Sequence, residues 1–220
     1  MSGKPWFIIL GAGASVDSGL PTFRGPGGVR APGQQMTSPE TFKMLKNEIH
    51  RHSPGETYRL LKEVTPPGSY ILNQNIDGYA QSIGVKVVDM HVRGVNTGVL
   101  LEYEDMVQYG QSLPDDKVQE MMWLTKKGID REHGRAGYVL VIGTSLQFPY
   151  LREFITRVKK YGAKVVHINP DPDYAYNIDA DFKHLVRKNE VLIDTTSAEA
   201  LQMIAVDGID AVIEEYSEDC

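Results

Sequence analysis

The chain has 220 residues, 41% hydrophobic and 24% charged, enough for one large domain or a domain with a small insert. Its net charge of −6 disfavours a surface dedicated to nucleic acid, and its single cysteine, Cys220, excludes disulfides, four-cysteine zinc sites and a buried thiol nucleophile. No apolar run approaches the roughly 18 residues of a membrane span, and Met1-Ser2-Gly3-Lys4 is too short to open a signal peptide, so the expected compartment is the cytosol with no membrane partner.

The first element is a buried strand over about Pro5 to Leu10, with Pro5 at the one strand position that loses no ladder bond. It runs into Gly11-Ala12-Gly13-Ala14-Ser15 and a short helix start. Small residues after a parallel strand let backbone approach a pyrophosphate, and a following helix N-terminus turns free N–H groups towards the anion. Gly25 to Gly33 carries four glycines and two prolines without periodicity, a long loop placed to act as a lid. Ser38 caps a helix with Pro39 in its first turn and Phe42, Leu45 and Ile49 on one face. Ser53 with Glu56 reads as a second capping box, opening a helix with Tyr58 and Leu61 that stops before Pro66-Pro67.

Tyr70 to Leu72 reads as a strand ending in the polar cluster Asn73-Gln74-Asn75-Ile76-Asp77-Gly78. Tyr79 to Ser82 reads as a helical turn, and Val85 to Met90 as a strand ending at His91. Between Val92 and Gly110 the pattern weakens, with short strands suggested at Val99-Leu100-Leu101 and Met106-Val107. A helix comes next, from Pro114 to about Lys127, with Val118, Met121, Met122 and Thr125 inward. Gly137 to Ile142 is an apolar strand closed by Gly143-Thr144-Ser145. The helix from Pro149 to about Tyr161 buries Leu151, Phe154, Ile155 and Val158. Lys164 to Ile168 ends at Asn169, Val191 to Ile193 is the last strand, and Thr196 with Glu199 caps a final helix carrying Leu201, Ile204 and Ala205. This alternation predicts an α/β fold: a Rossmann-like parallel sheet with helices on both faces.

A glycine turn alone is weak, because many folds turn tightly on glycines. Here polar clusters follow four predicted strands, at Gly11 to Ser15, Asn73 to Asp77, His91, and Gly143 to Ser145. Open parallel sheets bind ligands beyond the carboxyl ends of their strands. The other histidines, His50, His52, His133, His167 and His184, read as structural or surface groups. Trp6 and Trp123 read as core or interface aromatics.

On these residues the chain resembles the sirtuin family of NAD-dependent protein deacylases. Gly11-Ala12-Gly13-Ala14-Ser15 with Ser18-Gly19-Leu20-Pro21-Thr22-Phe23-Arg24 resembles the first family signature. Gln74-Asn75-Ile76-Asp77-Gly78 resembles the second, and Asp89-Met90-His91 the third. Gly143-Thr144-Ser145-Leu146 and Ile168-Asn169 complete a set that spans about residues 5 to 205 in order. The resemblance implies NAD as cofactor and an acylated protein or peptide as partner. It implies that Gly11, Ala12, Gly13 and Ser15 cradle the pyrophosphate, with Phe23 and Arg24 by the nicotinamide ribose and phosphate. Gln74 and Asn75 would belong to the same cofactor site, with Asn75 orienting ribose and a catalytic water. Ile76 and Asp77 would hold the carboxamide, Gly143, Thr144 and Ser145 would contact phosphate or ribose, and Asn169 the adenine ribose. His91 would be the general base towards a ribose hydroxyl, a role suited to an unperturbed imidazole pKa of about 6.5. Val107-Gln108-Tyr109-Gly110 resembles the segment that pairs with an acylated peptide by strand addition.

Several positions depart from the family pattern. Only sixteen residues separate His91 from Gln108, and none is cysteine, so no structural zinc is expected and the small lobe is much reduced. What remains of it is expected within 25–66 and 92–112, inside one domain over 1–220. Thr22, Asn73, Val92 and Gln111 stand where the family usually has Asp, Thr, Gly and Glu. Arg93 beside His91 could act on the base through like charge or receive an anionic acyl group. ADP-ribosyl transfer, NAD hydrolysis and non-catalytic NAD binding stay open as alternatives, as do the acyl group, the target and the oligomeric state.

Overall fold

The computed structural model of the chain describes residues 4–23, 28–29, 37–96, 98, 101–108, 110–129, 136–170 and 190–217. Among the described residues six strands make one wholly parallel sheet: β1 Trp6–Leu10, β2 Tyr70–Asn73, β3 Lys86–Asp89, β4 Tyr138–Ile142, β5 Lys164–Ile168 and β6 Glu190–Ile193. Their order is β3-β2-β1-β4-β5-β6. The chain winds outward from β1 to β3, then returns to the other side of β1 with β4. The reversal opens a crevice beyond the carboxyl ends of β1 and β4, where such sheets hold ligands. The architecture is the expected Rossmann-like one.

Alternation along β1 explains the two layers. Trp6, Ile8 and Leu10 join a core that includes α1 (Pro39–Arg51), α2 (Glu56–Val64), α5 (Ser197–Asp207) and α6 (Ile209–Ser217). Phe7 and Ile9 point the other way, into a core with α3 (Asp115–Ile129) and α4 (Pro149–Lys159). Successive strand side chains face opposite sides, so a strand covered on both faces reads as one unbroken apolar run.

The helix starts show how far local signals carry. Ser38 Oγ accepts from Thr41 N–H at 3.1 Å with Pro39 in the first turn, and Phe42, Leu45 and Ile49 are buried as the spacing predicts. Thr196 and Glu199 form their capping box on α5. The box expected at Ser53 and Glu56 is not made. Gly55 is the N-cap of α2, and the helix receives its caps from the turn after β1. Ser18 Oγ accepts from Gly55 N–H at 2.8 Å and Asp17 Oδ2 accepts from Thr57 N–H at 2.6 Å. A tertiary partner displaced the local one, and it ties α2 to the glycine turn.

Three further readings change. In α3 Met122 is 65% exposed, while Leu124 is fully buried and Lys117 turns inward. The short strands sought between Val92 and Gly110 reduce to one antiparallel bridge, Val92 to Met106; Val99 and Leu100 lie outside the described residues. The helix α6, beginning just after Gly208 (φ 85°), has no counterpart in the sequence reading. The expected lid at Gly25 to Gly33 falls almost wholly outside the described residues. Among the described residues no helix is long and apolar enough to cross a membrane.

Candidate active site

The loops after β1 and β4 cross backbone on backbone. Gly11 N–H donates to Ile142 O and Gly13 N–H to Gly143 O, each at 2.9 Å. A Cβ on Gly13 would lie 2.7 Å from Gly143 Cα, and one on Gly143 (φ 61°) would lie 2.4 Å from Ala14 N. The sequence reading assigned this turn to anion approach and to a helix N-terminus. In the structure the amides of Gly11 and Gly13 bond to the protein, and Ala12–Ser15 is a single 3-10 turn. The glycines are needed first because two chains pass where no side chain fits. Gly143→Ala is accordingly expected to destabilise the fold by about 2–4 kcal/mol, through left-handed strain plus the backbone clash, measured by urea unfolding against the wild type.

Around this crossing the polar clusters meet. Asn75 is 3% exposed; its Nδ2 donates to Gly11 O at 2.9 Å and Ser15 Oγ at 3.2 Å, while its Oδ1 is buried with no hydrogen-bond partner. Ser15 Oγ donates to Asp77 Oδ2 at 2.7 Å and lies 2.7 Å from the Tyr58 hydroxyl. Asp77 Oδ1 accepts from Tyr79 N–H at 2.9 Å. Burial pushes the Asp77 carboxyl up to about 6, and the neighbouring Asp89 adds to the rise. Burial, and then the Asp77 charge, keep Tyr58 protonated well beyond its ordinary range. Gln74 Nε2 reaches across β1 to Thr144 Oγ1 at 2.9 Å. The strand-end clusters of β1, β2 and β4 are therefore one hydrogen-bonded unit.

His91 joins it from the turn after β3. Its Nδ1 lies 3.0 Å from Gln74 O. A carbonyl can only accept, so Nδ1 carries the proton and the neutral ring presents a lone pair at Nε2. The Tyr150 hydroxyl lies 3.0 Å from Nε2 and, held protonated by burial, donates to it. Phe148 packs on the imidazole, ring centres 4.5 Å apart. Phe148 and Tyr150 flank the start of α4, and Leu146 just before them is fully buried at φ 50°, a left-handed conformation rare for leucine.

The remaining site residues differ in exposure and partners. Thr144 is buried, Ser145 is exposed, and Asn169 stands at the end of β5 with its N–H on Ile193 O. Ala12 is partly exposed on the turn, Phe23 packs against the core, and Ile76 buries its side chain there. Val107 N–H donates to His91 O at 2.8 Å, and Gln108 Oε1 accepts from Thr37 N–H at 3.0 Å, leaving Gln108 Nε2 buried without a partner. Gly110 is an exposed turn glycine at φ 86°. Arg24 and Tyr109 lie outside the described residues. A separate surface cavity of about 620 Å³, lined by Thr125, Glu153 and Arg157 among others, lies along the far half of α4 and takes no part.

No protein-family model matches the chain. Relatives do. The chain is 28% identical to "NAD-dependent protein deacylase 2" of Pyrobaculum aerophilum, over 78% of this chain and 82% of that protein. It is 28% identical to "NAD-dependent protein deacetylase" of Bacillus anthracis, over 81% and 88%. Among solved structures, a mutant Sir2 homologue in complex with 2′-O-acetyl ADP ribose aligns with a TM-score of 0.66 at 19% identity, over 96% of this chain and 94% of that one. A Sir2–p53 peptide–NAD+ complex aligns at a TM-score of 0.60 and 20% identity, over 93% of each. The sequence matches cover 78% and 81% of this chain and the structural matches 96% and 93%.

The chain is similar in sequence to NAD-dependent protein deacylases and shares the fold of Sir2 homologues.

Among the described residues no group of three His, Cys, Asp or Glu side chains is placed to hold a metal ion. The sequence reading missed Tyr58, Phe148, Tyr150 and Asn96 as members of the site. Tyr150 is 59 positions from His91, and no local pattern links them. Tyr58 lies in the first turn of a short amphipathic helix, where an aromatic reads as core.

Proposed function

We propose that this chain is a sirtuin, an NAD-dependent protein lysine deacylase that transfers the acyl group to the ADP-ribose of NAD and releases nicotinamide. One observation carries the reading: the His91 imidazole is fixed with its Nε2 lone pair facing a hydroxyl donor, on the same network as the buried amide of Asn75 and the carboxylate of Asp77.

The residues fit NAD. Asn75 Oδ1 is a buried acceptor still lacking a donor, an arrangement that costs about 1–3 kcal/mol unless a ligand or water completes it. When bound, NAD supplies a ribose carbon from which nicotinamide departs. Gly11, Ala12 and Gly13 would line its diphosphate, with Gly143, Thr144 and Ser145 on the opposite strand end and Asn169 towards the adenine ribose. Phe23 and Arg24 would close over the nicotinamide side. Ser15, expected beside the diphosphate, holds Asp77 through its hydroxyl. Asp77 and Ile76 would hold the carboxamide, and Gln74 holds Thr144 and His91 in register. His91 Nε2 would take a proton from a ribose hydroxyl that replaces the Tyr150 hydroxyl, which lies 3.0 Å from it. Val107, Gln108, Tyr109 and Gly110 would pair with the acylated peptide, anchored through Val107 to His91. The single cysteine agrees with a cytosolic setting. We treat 1–220 as one domain with the reduced small lobe within 25–66 and 92–112.

Mass analysis of products from NAD, with and without an acyl-lysine peptide, tests the reading. O-acyl-ADP-ribose and nicotinamide are the expected products. Free or protein-linked ADP-ribose would instead mark a glycohydrolase or ADP-ribosyltransferase, and NAD binding without turnover a binding module.

A further inference from the structure

The segment after His91 is short, yet it is tied to the site more firmly than its weak sequence pattern suggests. Asn96 is 3% exposed; its Nδ2 donates to Asn75 O at 3.0 Å and to Asp89 Oδ1 at 3.1 Å, and its Oδ1 accepts from Gly98 N–H at 3.1 Å. Gly98 (φ 62°) sits so close to the β2 loop that a Cβ there would lie 2.1 Å from Asp77 O. Earlier in the segment, Arg93 N–H donates to Asp105 O at 2.7 Å, and the inward Lys117 of α3 donates to Gly94 O at 3.1 Å.

On the other side, Asn73 holds the same loop. Its Oδ1 accepts from Asn75 N–H at 3.1 Å, and its Nδ2 donates to Asn75 O at 3.1 Å and Asp89 Oδ1 at 2.7 Å. Gln81 Nε2 completes Asp89 at Oδ2, 2.8 Å. Asn75 is therefore gripped by its backbone from both sides while its side chain faces the glycine turn. Buried polar networks of this kind fix one geometry, because any displacement strands several groups without partners.

We propose that Asn96 is a positioning residue for the reaction: with Gly98 it clamps the Asn75–Asp77 loop and couples it to His91, supplying the cleft wall that the shortened lobe leaves out. Its catalytic consequence rests on the NAD-dependent reading above; the clamp itself does not. Asn96 touches no reacting atom. It acts by holding the Asn75 carbonyl, and through it the two side chains that meet NAD.

The test uses the full chain and three variants. Asn96→Ala removes every bond, Asn96→Asp keeps the shape but loses the donor, and Asn96→Ser keeps one short donor. Amide hydrogen exchange is expected to rise about tenfold or more over Asn75 to Tyr79 in the alanine and aspartate variants, with β1 and β4 unchanged and serine intermediate. Nicotinamide release is expected to fall about tenfold or more in kcat, with the change in KM for NAD the smaller of the two. Unchanged exchange in that loop, or an aspartate variant that matches the wild type, would overturn the clamp. Faster exchange with kcat untouched would overturn its positioning role. A wild type that releases no nicotinamide would defeat the NAD-dependent reading instead, with the exchange result still deciding the clamp.

Discussion

Replacing His91 with alanine is expected to lower O-acyl-ADP-ribose formation by about 10²–10⁴-fold while NAD still binds, the range for loss of a positioned general base. The geometry gives the reason. Nδ1 is committed to Gln74 O, so the ring has one tautomer and one basic nitrogen, and Phe148 and Tyr150 fix where that nitrogen points. The segments expected to bind NAD are held to one another through Asn75, Ser15, Asp77, Gln74 and Thr144, bonds that do not pass through the imidazole. The nicotinamide-expelling half should therefore survive. Calorimetric NAD binding beside single-turnover product formation checks it; equal loss of both would make His91 a structural residue.

The second large effect is expected at Asp77, and it has two signs. The folded-state pKa of about 6 lies above the ordinary carboxyl value, so the folded protein holds this proton more tightly than the unfolded chain does. The contribution to stability is complete at about pH 4 and below, and falls as pH rises to about 6, by roughly 3 kcal/mol in all. Asp89, also raised chiefly by burial, acts in the same direction. Asp77→Asn cannot ionise, so above about pH 6 it is expected to be more stable than the wild type relative to their difference at pH 4. Urea unfolding of both proteins across that window measures the change. The same variant is expected to raise KM for NAD about 10- to 100-fold, the worth of a hydrogen bond to a charged acceptor. A variant that is stabilised near neutral pH and binds NAD more weakly would mark a carboxylate kept for binding at the expense of the fold. A pH-stability curve with the same slope in both proteins would remove Asp77 as its source.

Much of the architecture was legible because its signals are local. Trp6 to Leu10 is a continuous apolar run, Ser38-Pro39 and Thr196 with Glu199 are caps within one turn, and Leu151, Phe154, Ile155 and Val158 keep helical period. Where a tertiary group competed, the local signal lost. Ser53 was displaced as a cap by Asp17 and Ser18, and Met122 was left outside because Leu124 faces the sheet. The weak stretch after His91 holds its shape through single hydrogen bonds to distant groups, Asn96 to Asp89 and Gly94 to Lys117, which leave no periodic trace.

By itself the order of residues determined the alternation of strands and helices, the strand ends that carry polar groups, and the family that those groups resemble. It did so because hydrophobic period and turn chemistry act over a few neighbouring positions. Only the tertiary structure decided that Gly11, Gly13 and Gly143 serve a backbone crossing, that Ser15 turns inward to Asp77, that Tyr150 faces the basic nitrogen of His91, and that Asn96 grips Asn75. Those are meetings of groups tens of positions apart, and a hydrogen bond of about 3 Å depends on where folding brings both partners, which neither partner's own neighbourhood encodes.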